Sequence, residues 1–447
     1  MKRYDTYKDS GVQWIGEIPS HWKEYRMKYL LSRSSAGVWG DDEKEDENDI
    51  VCFRIADFDY AHGILKFDNI TYRNIQKNQL VGRMLSHGDL LIEKSGGGEA
   101  TPVGRVVRYN YDGEATCSNF IHSISIKEIF SSNFLYYFFY SLYANKVNLL
   151  YFNQTTGIQN LKVGDYLSQS IFLPSKSEQR AIAEWLDVKC REIDKLIATQ
   201  KRRIELLQEL CQSIITRAVT RGINPDAPLC DTGIDWIGQI PSNWTLKRLK
   251  FISSNYKAGP FGSSLITSQL LPDGDILVYT PEHIARKSVE LDNNLYLPNE
   301  RKDEMSQFLV KQGDIIFPIV GSLGRAMQIS SSMPVGIINQ RLAKFTIDEC
   351  LDDRFFMWVF AESDLYNYYI KQYQRGSVIV NLTKDIVGNI LVPIPPKNEQ
   401  REIVAYLERE TGKVDHALQQ AERQIELLQE LRQSVITEVV TGKRKVC

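Results

Sequence analysis

The sequence contains the same segment twice. Residues 204–210 read IELLQEL, and residues 425–431 repeat those seven letters. The match extends over Glu178–Arg221 and Glu399–Gly442, where 20 of 44 aligned positions are identical. A constant offset over this length indicates an internal duplication. The chain of 447 residues therefore consists of one half of about 220 residues written twice.

Each half also opens on a shared motif. Residues 11–22 read GVQWIGEIPSHW and residues 233–244 read GIDWIGQIPSNW. Each motif leads into a region rich in glycine, aromatic residues and short apolar runs such as Asp89–Ile92 and Asp314–Phe317. Short apolar runs bounded by Gly or Asp predict strands. We therefore expect one mixed α/β domain in each half.

A long helix is predicted to follow each domain. Ser177-Glu-Gln and Asn398-Glu-Gln supply an N-cap residue and polar side chains suited to a helix start. Apolar residues then recur every seven positions, which predicts helices that pack along their length. Arg432 interrupts this pattern. The residues predicted to pack are Ile193, Ile197, Ile204, Leu207, Ile214, Val414, Leu418, Ile425, Leu428 and Val435.

The predicted fold class is α+β, with two similar α/β domains separated by two long antiparallel helices related by a pseudo-two-fold axis. The alternative is that each helix packs only on its own domain. Gly222 can end the first helix, and the linker 224–228 (NPDAP) follows it. The predicted segments are the first domain (1–176), the first spacer helix (177–222), the second domain (223–396) and the second spacer helix (397–447).

Charge does not suggest a uniformly basic nucleic-acid binder. The chain has 54 Lys and Arg against 56 Asp and Glu, with a pI of about 6.4, whereas such binders usually exceed a pI of about 9. The average hides local differences. Residues 1–177 hold 20 basic and 21 acidic residues, but seven of the acids lie in Asp41–Asp49. That run is either a solvated loop or a mimic of phosphate, and without it the region is basic.

Motifs for metal or cofactor chemistry are missing from the sequence. The seven cysteines form no CxxC pair, the six histidines form no HxxxH or HExxH, and P-loop and GxGxxG patterns do not occur. We expect this chain to bind no metal and no cofactor itself. The most apolar run, Phe134–Tyr143, is too short to span a bilayer and predicts a buried aromatic helix. The first ten residues have no apolar stretch typical of a secretory signal, so we expect a cytoplasmic protein.

One pattern leaves a nuclease open as an alternative. Pro272-Asp273 followed by Glu300-Arg-Lys302 formally matches a PD…ExK arrangement of two metal-binding carboxylates and a lysine. The pattern is permissive, and its two parts lie in Pro-, Gly- and Asn-rich stretches without a clear strand. A coiled-coil interaction protein without DNA binding is a second alternative.

The positive signals are for nucleic acid. Both domains contain loops that combine small residues with Lys, Arg, Gln or Asn, which can approach phosphates and pair with base edges. Candidates in the first domain are Lys94, Ser95, Gly96, Gly97, Thr101, Arg105, Asn119, Gln154, Thr155, Thr156, Gln159 and Asn160. Candidates in the second domain are Lys257, Ser263, Ser264, Ser322, Arg325, Gln340, Arg341, Arg375, Ser377 and Asn381.

Taken together, the motifs resemble a known family. Two WIGxIPxxW motifs, two strand–proline–helix starts running from Leu173 to Ile182 and from Ile394 to Ile403, and the two IELLQEL segments resemble the specificity subunit of type I restriction–modification systems. The resemblance covers essentially the whole chain. It implies a non-catalytic subunit whose two target-recognition domains each read one half of a bipartite, asymmetric site on double-stranded DNA.

The resemblance also implies the partners. The two helices would set the gap between the half-sites and dock methyltransferase subunits, expected to number two, and restriction/translocase subunits would complete the complex. S-adenosylmethionine, ATP and magnesium would be held by those partners. No membrane partner is implied.

Overall fold

The computed structural model describes residues 3–98, 100–155, 157–261, 264–320, 325–371 and 382–446. The chain forms two compact units. The first unit is Met1–Lys201 with Glu422–Cys447, and the second is Arg202–Ala421. Each unit therefore combines one domain with parts of both long helices.

The strands of the first unit are short, and most are three to six residues long. They are β1 (Tyr7–Asp9), β2 (Glu17–Pro19), β3 (Lys23–Arg26), β4 (Leu31–Ala36), β5 (Asp41–Asp42), β6 (Asp49–Phe53), β7 (Phe58–Asp59), β8 (Ile64–Leu65), β9 (Tyr72–Asn74), β10 (Leu90–Glu93), β11 (Ser95–Gly96), β12 (Val106–Arg108), β13 (Ala115–Cys117), β14 (Ile121–Ile126), β15 (Phe152–Thr155), β16 (Ile158–Leu161) and β17 (Ser170–Leu173). The helices are α1 (Lys77–Leu80), α2 (Ser132–Ala144), α3 (Val163–Tyr166) and α4 (Lys176–Arg221), of which α4 continues into the second unit. Single 3₁₀ turns lie at Met27–Leu30, Ile55–Asp57 and Val147–Tyr151.

Two four-stranded sheets form the centre of the first domain. One is antiparallel, in the order β12-β10-β14-β4, and the other has the order β13-β6-β9-β5 with β13 parallel to β6. A three-stranded sheet has the order β11-β16-β15, and β17 pairs with β3 just before α4 begins.

The second unit repeats this plan. Its strands are β18 (Leu229–Asp231), β19 (Gln239–Pro241), β20 (Thr245–Arg248), β21 (Ser253–Ala258), β22 (Ile276–Tyr279), β23 (Tyr296–Leu297), β24 (Asp314–Pro318), β25 (Met327–Gln328), β26 (Gly336–Ile338), β27 (Leu342–Ile347) and β28 (Leu391–Ile394). Its helices are α5 (Pro281–Arg286), α6 (Asp353–Met357), α7 (Leu365–Lys371), α8 (Lys384–Gly388) and α9 (Lys397–Val440), with a π-helical turn at Trp358–Glu362. 3₁₀ turns lie at Leu249–Phe251, Thr267–Gln269, Asn299–Arg301 and Ser306–Phe308. The sheet β21-β27-β24-β25 matches β4-β14-β10-β12, and β22 runs parallel to β26 as β6 does to β13.

The predicted aromatic helix is confirmed as α2. Its N-cap is Ser131, whose hydroxyl accepts a hydrogen bond from the Phe134 amide. Phe134, Tyr137 and Phe138 are buried in the core of the first unit, together with Trp22 of the WIG motif. Membrane-spanning helices do not occur among the described residues, since none of their helices is both long and apolar enough.

The predicted N-caps are wrong by two residues. The first long helix begins at Lys176, and Ser175 caps it by accepting a hydrogen bond from the Glu178 amide at 3.3 Å. Ser177 therefore lies inside the first turn. The second long helix begins at Lys397 directly after a proline, so Asn398 also lies inside the first turn. A proline can stand there because the first amides of a helix have no intrahelical acceptor.

A buried glutamine fastens each helix start to its domain. Gln179 donates from Nε2 to the Pro174 carbonyl at 2.9 Å and accepts at Oε1 from the Ser131 amide at 2.9 Å. Gln400 is its counterpart and makes the same pair of contacts, to the Pro395 carbonyl and from the Asp352 amide. Both glutamines are fully buried, so these hydrogen bonds replace the ones that water would otherwise make.

In each unit the two long helices run antiparallel. In the first unit, the start of α4 shares a core with the end of α9, through Leu186 and Val439 among others. In the second unit, the end of α4 shares a core with the start of α9, through Val219 and Leu407.

The residues predicted to pack along the helices are all at least partly buried. Ile193, Val414 and Val435 are buried, whereas Ile197, Ile204, Leu207, Ile214, Leu418, Ile425 and Leu428 are intermediate in exposure.

Candidate nucleic-acid interface

In the first domain, two of the predicted loops meet in one sheet. Strand β11 pairs with β16, so that Ser95 lies opposite Asn160 and Gly96 opposite Gln159. The Ser95 hydroxyl donates to the Asn160 side-chain oxygen at 2.7 Å. Candidate residues that are about 60 positions apart in the sequence are thereby brought side by side.

A third candidate segment joins them. The Phe120 carbonyl accepts hydrogen bonds from the amides of Lys94 and Ser95, at 2.8 and 3.1 Å. Asn119 precedes Phe120 in the turn between β13 and β14, and both side chains are exposed. The turn thus offers a polar amide and an aromatic ring beside the Lys94 backbone.

Gly97 is required where it stands. Its φ is +64°, and a Cβ there would lie 2.9 Å from both the Thr101 carbonyl oxygen and the Val103 amide nitrogen. The next residue, Gly98, closes the turn by donating to the Thr101 carbonyl at 3.1 Å. Thr101 itself is exposed.

Two candidates are engaged inside the domain. Gln159 is buried, and its side-chain oxygen accepts a hydrogen bond from the Val103 backbone amide at 3.1 Å. The Gln159 side chain therefore supports the loop that contains Gly97 and Thr101 from inside the domain. Arg105 forms a bidentate pair with the buried Glu93, at 2.8 and 3.2 Å, and its guanidinium lies 3.7 Å from the centre of the Tyr60 ring. Burial alone would lower the pKa of Arg105, because it disfavours the charged guanidinium. The hydrogen bonds and negative charge of Glu93 outweigh this effect, so the pKa of Arg105 is raised.

The second domain presents the equivalent turn. Between β26 and β27, Gln340 and Arg341 are exposed, and the Arg341 amide donates to the Asn339 side chain at 3.0 Å. Gln340 lies two residues after β26 as Asn119 lies two residues after β13, so the two residues correspond in the repeated fold. Amide and guanidinium side chains of this kind can read adenine and guanine edges bidentately in the major groove.

Gly259 allows a neighbouring loop to lie against this turn. Its amide donates to the Leu342 carbonyl at 2.8 Å, and a Cβ at this position would be only 1.9 Å from the Asn339 carbonyl oxygen. Gly37 is the counterpart in the first domain, where a Cβ would be 2.2 Å from the Cys117 carbonyl oxygen. The close approach therefore requires glycine in both domains.

The other candidates of the second domain do not form one cluster with that turn. Lys257 lies on β21 with its ammonium 5.4 Å from the Phe308 ring centre, and Ser264 is exposed. Arg325 is exposed and donates to the Ala285 carbonyl at 3.4 Å.

Some candidates fall outside the described residues. These are Thr156, Ser263, Ser322, Arg375, Ser377 and Asn381. Gln154 and Thr155 belong to β15 by their backbone, and their side chains are likewise outside the description.

Sequence reasoning missed the aromatic residues near these turns. Phe120 follows Asn119 directly, while Trp39 and Phe261 each lie two residues after the close-contact glycines Gly37 and Gly259. The repeat itself carried the signal, because Trp39 and Phe261 are related by the same offset of 222 as the WIG motifs.

The PD…ExK residues do not form a recognisable nuclease centre. Glu300 lies in a 3₁₀ turn, Lys302 follows it, and both are exposed together with Asp273. Within the part of the chain that the structure describes, no group of three or more His, Cys, Asp or Glu side chains is placed to hold a metal ion. The nuclease alternative has no structural support.

Two related domains with different exposed polar turns, each built together with long antiparallel helices, are the arrangement expected of a binding protein with two distinct recognition surfaces. Comparison with known proteins identifies its family. The model of the type I restriction modification DNA specificity domain matches residues 19–206 and again residues 241–427. The chain belongs to this family, and its role is DNA recognition.

Relatives include specificity subunits from archaea and bacteria. The type I restriction enzyme MjaVIII specificity subunit of Methanocaldococcus jannaschii is 21% identical over 314 residues, which cover 69% of this chain and 70% of that protein. The EcoKI specificity subunit of Escherichia coli K12 is 22% identical over 400 residues, covering 85% and 80%.

Solved structures show the same fold. A chain from a structural study of the assembly and conformational transition of a type I R-M system has a TM-score of 0.69 at 17% identity, with 95% of this chain and 98% of that chain covered. The HsdS subunit from Thermoanaerobacter tengcongensis has a TM-score of 0.53 at 17% identity, with 96% and 98% covered.

Proposed function

We propose that each domain reads one half of a bipartite DNA site and that the two long helices set the gap between the half-sites. The observation that carries this is the duplication of the recognition turn with different side chains. Asn119 and Phe120 in the first domain correspond to Gln340 and Arg341 in the second. Because amide, aromatic and guanidinium groups favour different base edges, the two half-sites should differ in sequence.

The length of the helices supports a role as a ruler. Helices α4 and α9 have 46 and 44 residues, and at 1.5 Å per residue each is roughly 70 Å long. Removing four residues from each IELLQEL segment shortens both helices by about 6 Å, which corresponds to about two base pairs of DNA. Methylation mapping should then show a shorter gap between unchanged half-sites. Changed bases at an unchanged gap would contradict the ruler.

We also propose that methyltransferase subunits dock on the exposed leucines of the repeated segment. Leu206 and Leu210 are 48% and 49% exposed, and their counterparts Leu427 and Leu431 are 47% and 49% exposed. Each copy thus offers the same apolar pair, which suits two identical partners. Restriction/translocase subunits would join this complex in the cytoplasm, and S-adenosylmethionine, ATP and magnesium would be bound by the partners while this chain does no catalysis.

The docking proposal can be tested one copy at a time. Leu206→Glu with Leu210→Glu should remove one methyltransferase subunit from the purified complex, and all four substitutions should remove both. Val81→Glu is the matched control, since Val81 is an exposed apolar residue on the first domain, far in sequence from both IELLQEL segments. The mass of each purified complex gives the number of methyltransferase subunits that are bound. If the variant with all four substitutions still binds two subunits, the proposal is contradicted.

Affinity for DNA should depend on these partners. The chain has a formal net charge of −2, and the attraction of a protein to the phosphate backbone grows with the number of phosphates that its cations neutralise. We expect weak binding by the chain alone and tight, salt-dependent binding by the assembled complex. Equal affinity of the two would show that the partners add nothing.

A further inference from the structure

Phe261 has an unusual position for a large apolar side chain. It is 88% exposed, more than any other large hydrophobic residue that the structure describes. Leaving a phenylalanine side chain in water forgoes about 2 kcal/mol of the stabilisation that its burial would contribute. Single exposed apolar residues are common on protein surfaces, so the surroundings decide whether this one has a role.

The surroundings belong to the candidate DNA surface. Phe261 follows β21 by three residues, and Gly259 between them packs its backbone against the turn that carries Gln340 and Arg341. The Phe261 carbonyl accepts a hydrogen bond from the Ser264 amide at 2.8 Å. The loop is therefore held at the same end of the sheet as the polar turn.

The first domain has an aromatic ring at the same position. Trp39 follows β4 by three residues, and the backbone of its neighbour Val38 is hydrogen-bonded to the Cys117 carbonyl at 2.8 Å. Arg73 stacks its guanidinium 4.4 Å from the Trp39 ring centre and donates to the Trp39 carbonyl at 3.1 Å. An aromatic side chain beside the recognition turn is thus a feature of both copies.

An aromatic ring complements the polar groups of the turn chemically. Gln and Arg side chains hydrogen-bond to base edges, whereas apolar side chains contact the thymine methyl group or insert between bases. A phosphate oxygen gains nothing from a phenyl ring, so a ring at this surface is suited to contact with a base rather than to attraction to the phosphate backbone. We propose that Phe261 makes an apolar contact with a base in the half-site that the second domain reads, and that Trp39 is its counterpart in the first. The proposal rests on the proposed function, which it deepens.

The test uses the full chain assembled with its methyltransferase subunits. Methylation mapping of DNA from cells that carry the complex first gives the site, and binding is then measured on duplexes with each position of that site varied. Phe261→Ala should weaken binding to the cognate duplex about tenfold or more and relax base preference in one half-site only. Trp39→Ala should relax the other half-site, and Phe261→Leu should retain part of the preference.

Phe251→Ala is the matched control. Phe251 is also exposed, at 68%, but it precedes β21, so the six residues of that strand separate it from Phe261 by about 20 Å. It should leave both half-sites unchanged. Since Phe261 is almost wholly exposed, its removal should not disturb folding, which thermal unfolding would verify.

The possible failures can be told apart. If the unaltered complex binds a bipartite site and Phe261→Ala binds it equally well, or weakens all sequences equally, the Phe261 proposal is wrong and the proposed function stands. If Phe261→Ala instead prevents assembly with the methyltransferase subunits, the ring is a protein contact, which also overturns the proposal. If the unaltered complex shows no sequence preference, the proposed function itself fails.

Discussion

Arg432 of the second long helix is buried against Asp194 of the first, with its Nε atom 3.3 Å from a carboxylate oxygen. Its guanidinium also donates to the Ala61 carbonyl at 3.0 Å and lies 5.0 Å from the Tyr140 ring centre. Arg432, which interrupts the heptad pattern of the second helix, therefore ties both helices to the first domain. In the other copy, the equivalent position is Cys211.

Replacing this arginine should be costly. Arg432→Ala leaves a partly buried Asp194 without its partner, and losing one member of a buried ion pair typically costs about 3 to 5 kcal/mol. Because Asp194 keeps some contact with solvent, we expect the lower end of that range. Urea unfolding of the full chain measures this change in the free energy of unfolding. Arg423→Ala is the control, since Arg423 pairs with Glu426 on the exposed surface of the same helix and should cost less than about 1 kcal/mol.

The buried glutamines should matter equally in both units. Gln179→Leu leaves the Ser131 amide and the Pro174 carbonyl unsatisfied, which costs about 1 to 3 kcal/mol, and Gln400→Leu should behave alike. Gln208→Leu, at an exposed position of the first long helix, is the matched control. Thermal unfolding gives the loss of stability in each of the three variants. An equal loss in Gln208→Leu would show that the buried glutamines contribute no more to stability than a surface residue.

Glycine substitutions should have opposite signs at different positions. Gly259→Ala places a methyl group in contact with the Asn339 carbonyl, so it should destabilise the second domain and weaken recognition of its half-site. Gly412 lies inside the second long helix, and a Cβ added there would have no other atom within 4 Å among the described residues beyond its own helix turn. Gly412→Ala should therefore raise stability by about 0.5 to 1 kcal/mol. Unfolding curves and half-site preference test both changes.

His122 should make stability depend on pH. Burial, assisted by the nearby Lys94 charge, lowers the pKa of His122 to about 4. The unfolded chain binds a proton near pH 6.5 that the folded chain does not, so stability is complete above pH 6.5 and falls as the pH drops towards 4. The loss should approach about 3 kcal/mol. His122→Gln should flatten this slope in pH-dependent unfolding, whereas His87→Gln, at an exposed histidine, should retain it.

Local patterns predicted the helices well because their signals lie within a few residues. The heptad repeat located both long helices, and the apolar run from Phe134 located α2. The helix starts were misplaced because serine residues at 175 and 177 are equally plausible caps by composition, and only the backbone decides between them.

The candidate site was predicted only in part. The pairing of Ser95 with Asn160 was not foreseeable, since strand partners distant in sequence leave no local pattern. Gln159 was expected at the DNA surface because glutamine can pair with base edges, yet its side chain is buried beneath the loop. Arg432 stands out in the sequence as an exception to the heptad pattern, but its partner Asp194 could be identified only in three dimensions.

The composition of the first compact unit has a consequence for synthesis on the ribosome. Its core contains Val435, Ile436, Val439 and Val440, which are translated only after the whole second domain. The apolar side chains of the first domain that these residues cover therefore stay exposed until the second domain and most of the second long helix have been synthesised. A stop codon or proteolytic cut within the second long helix that removes Val435, Ile436, Val439 and Val440 would therefore damage the first domain, although that domain is translated long before the helix.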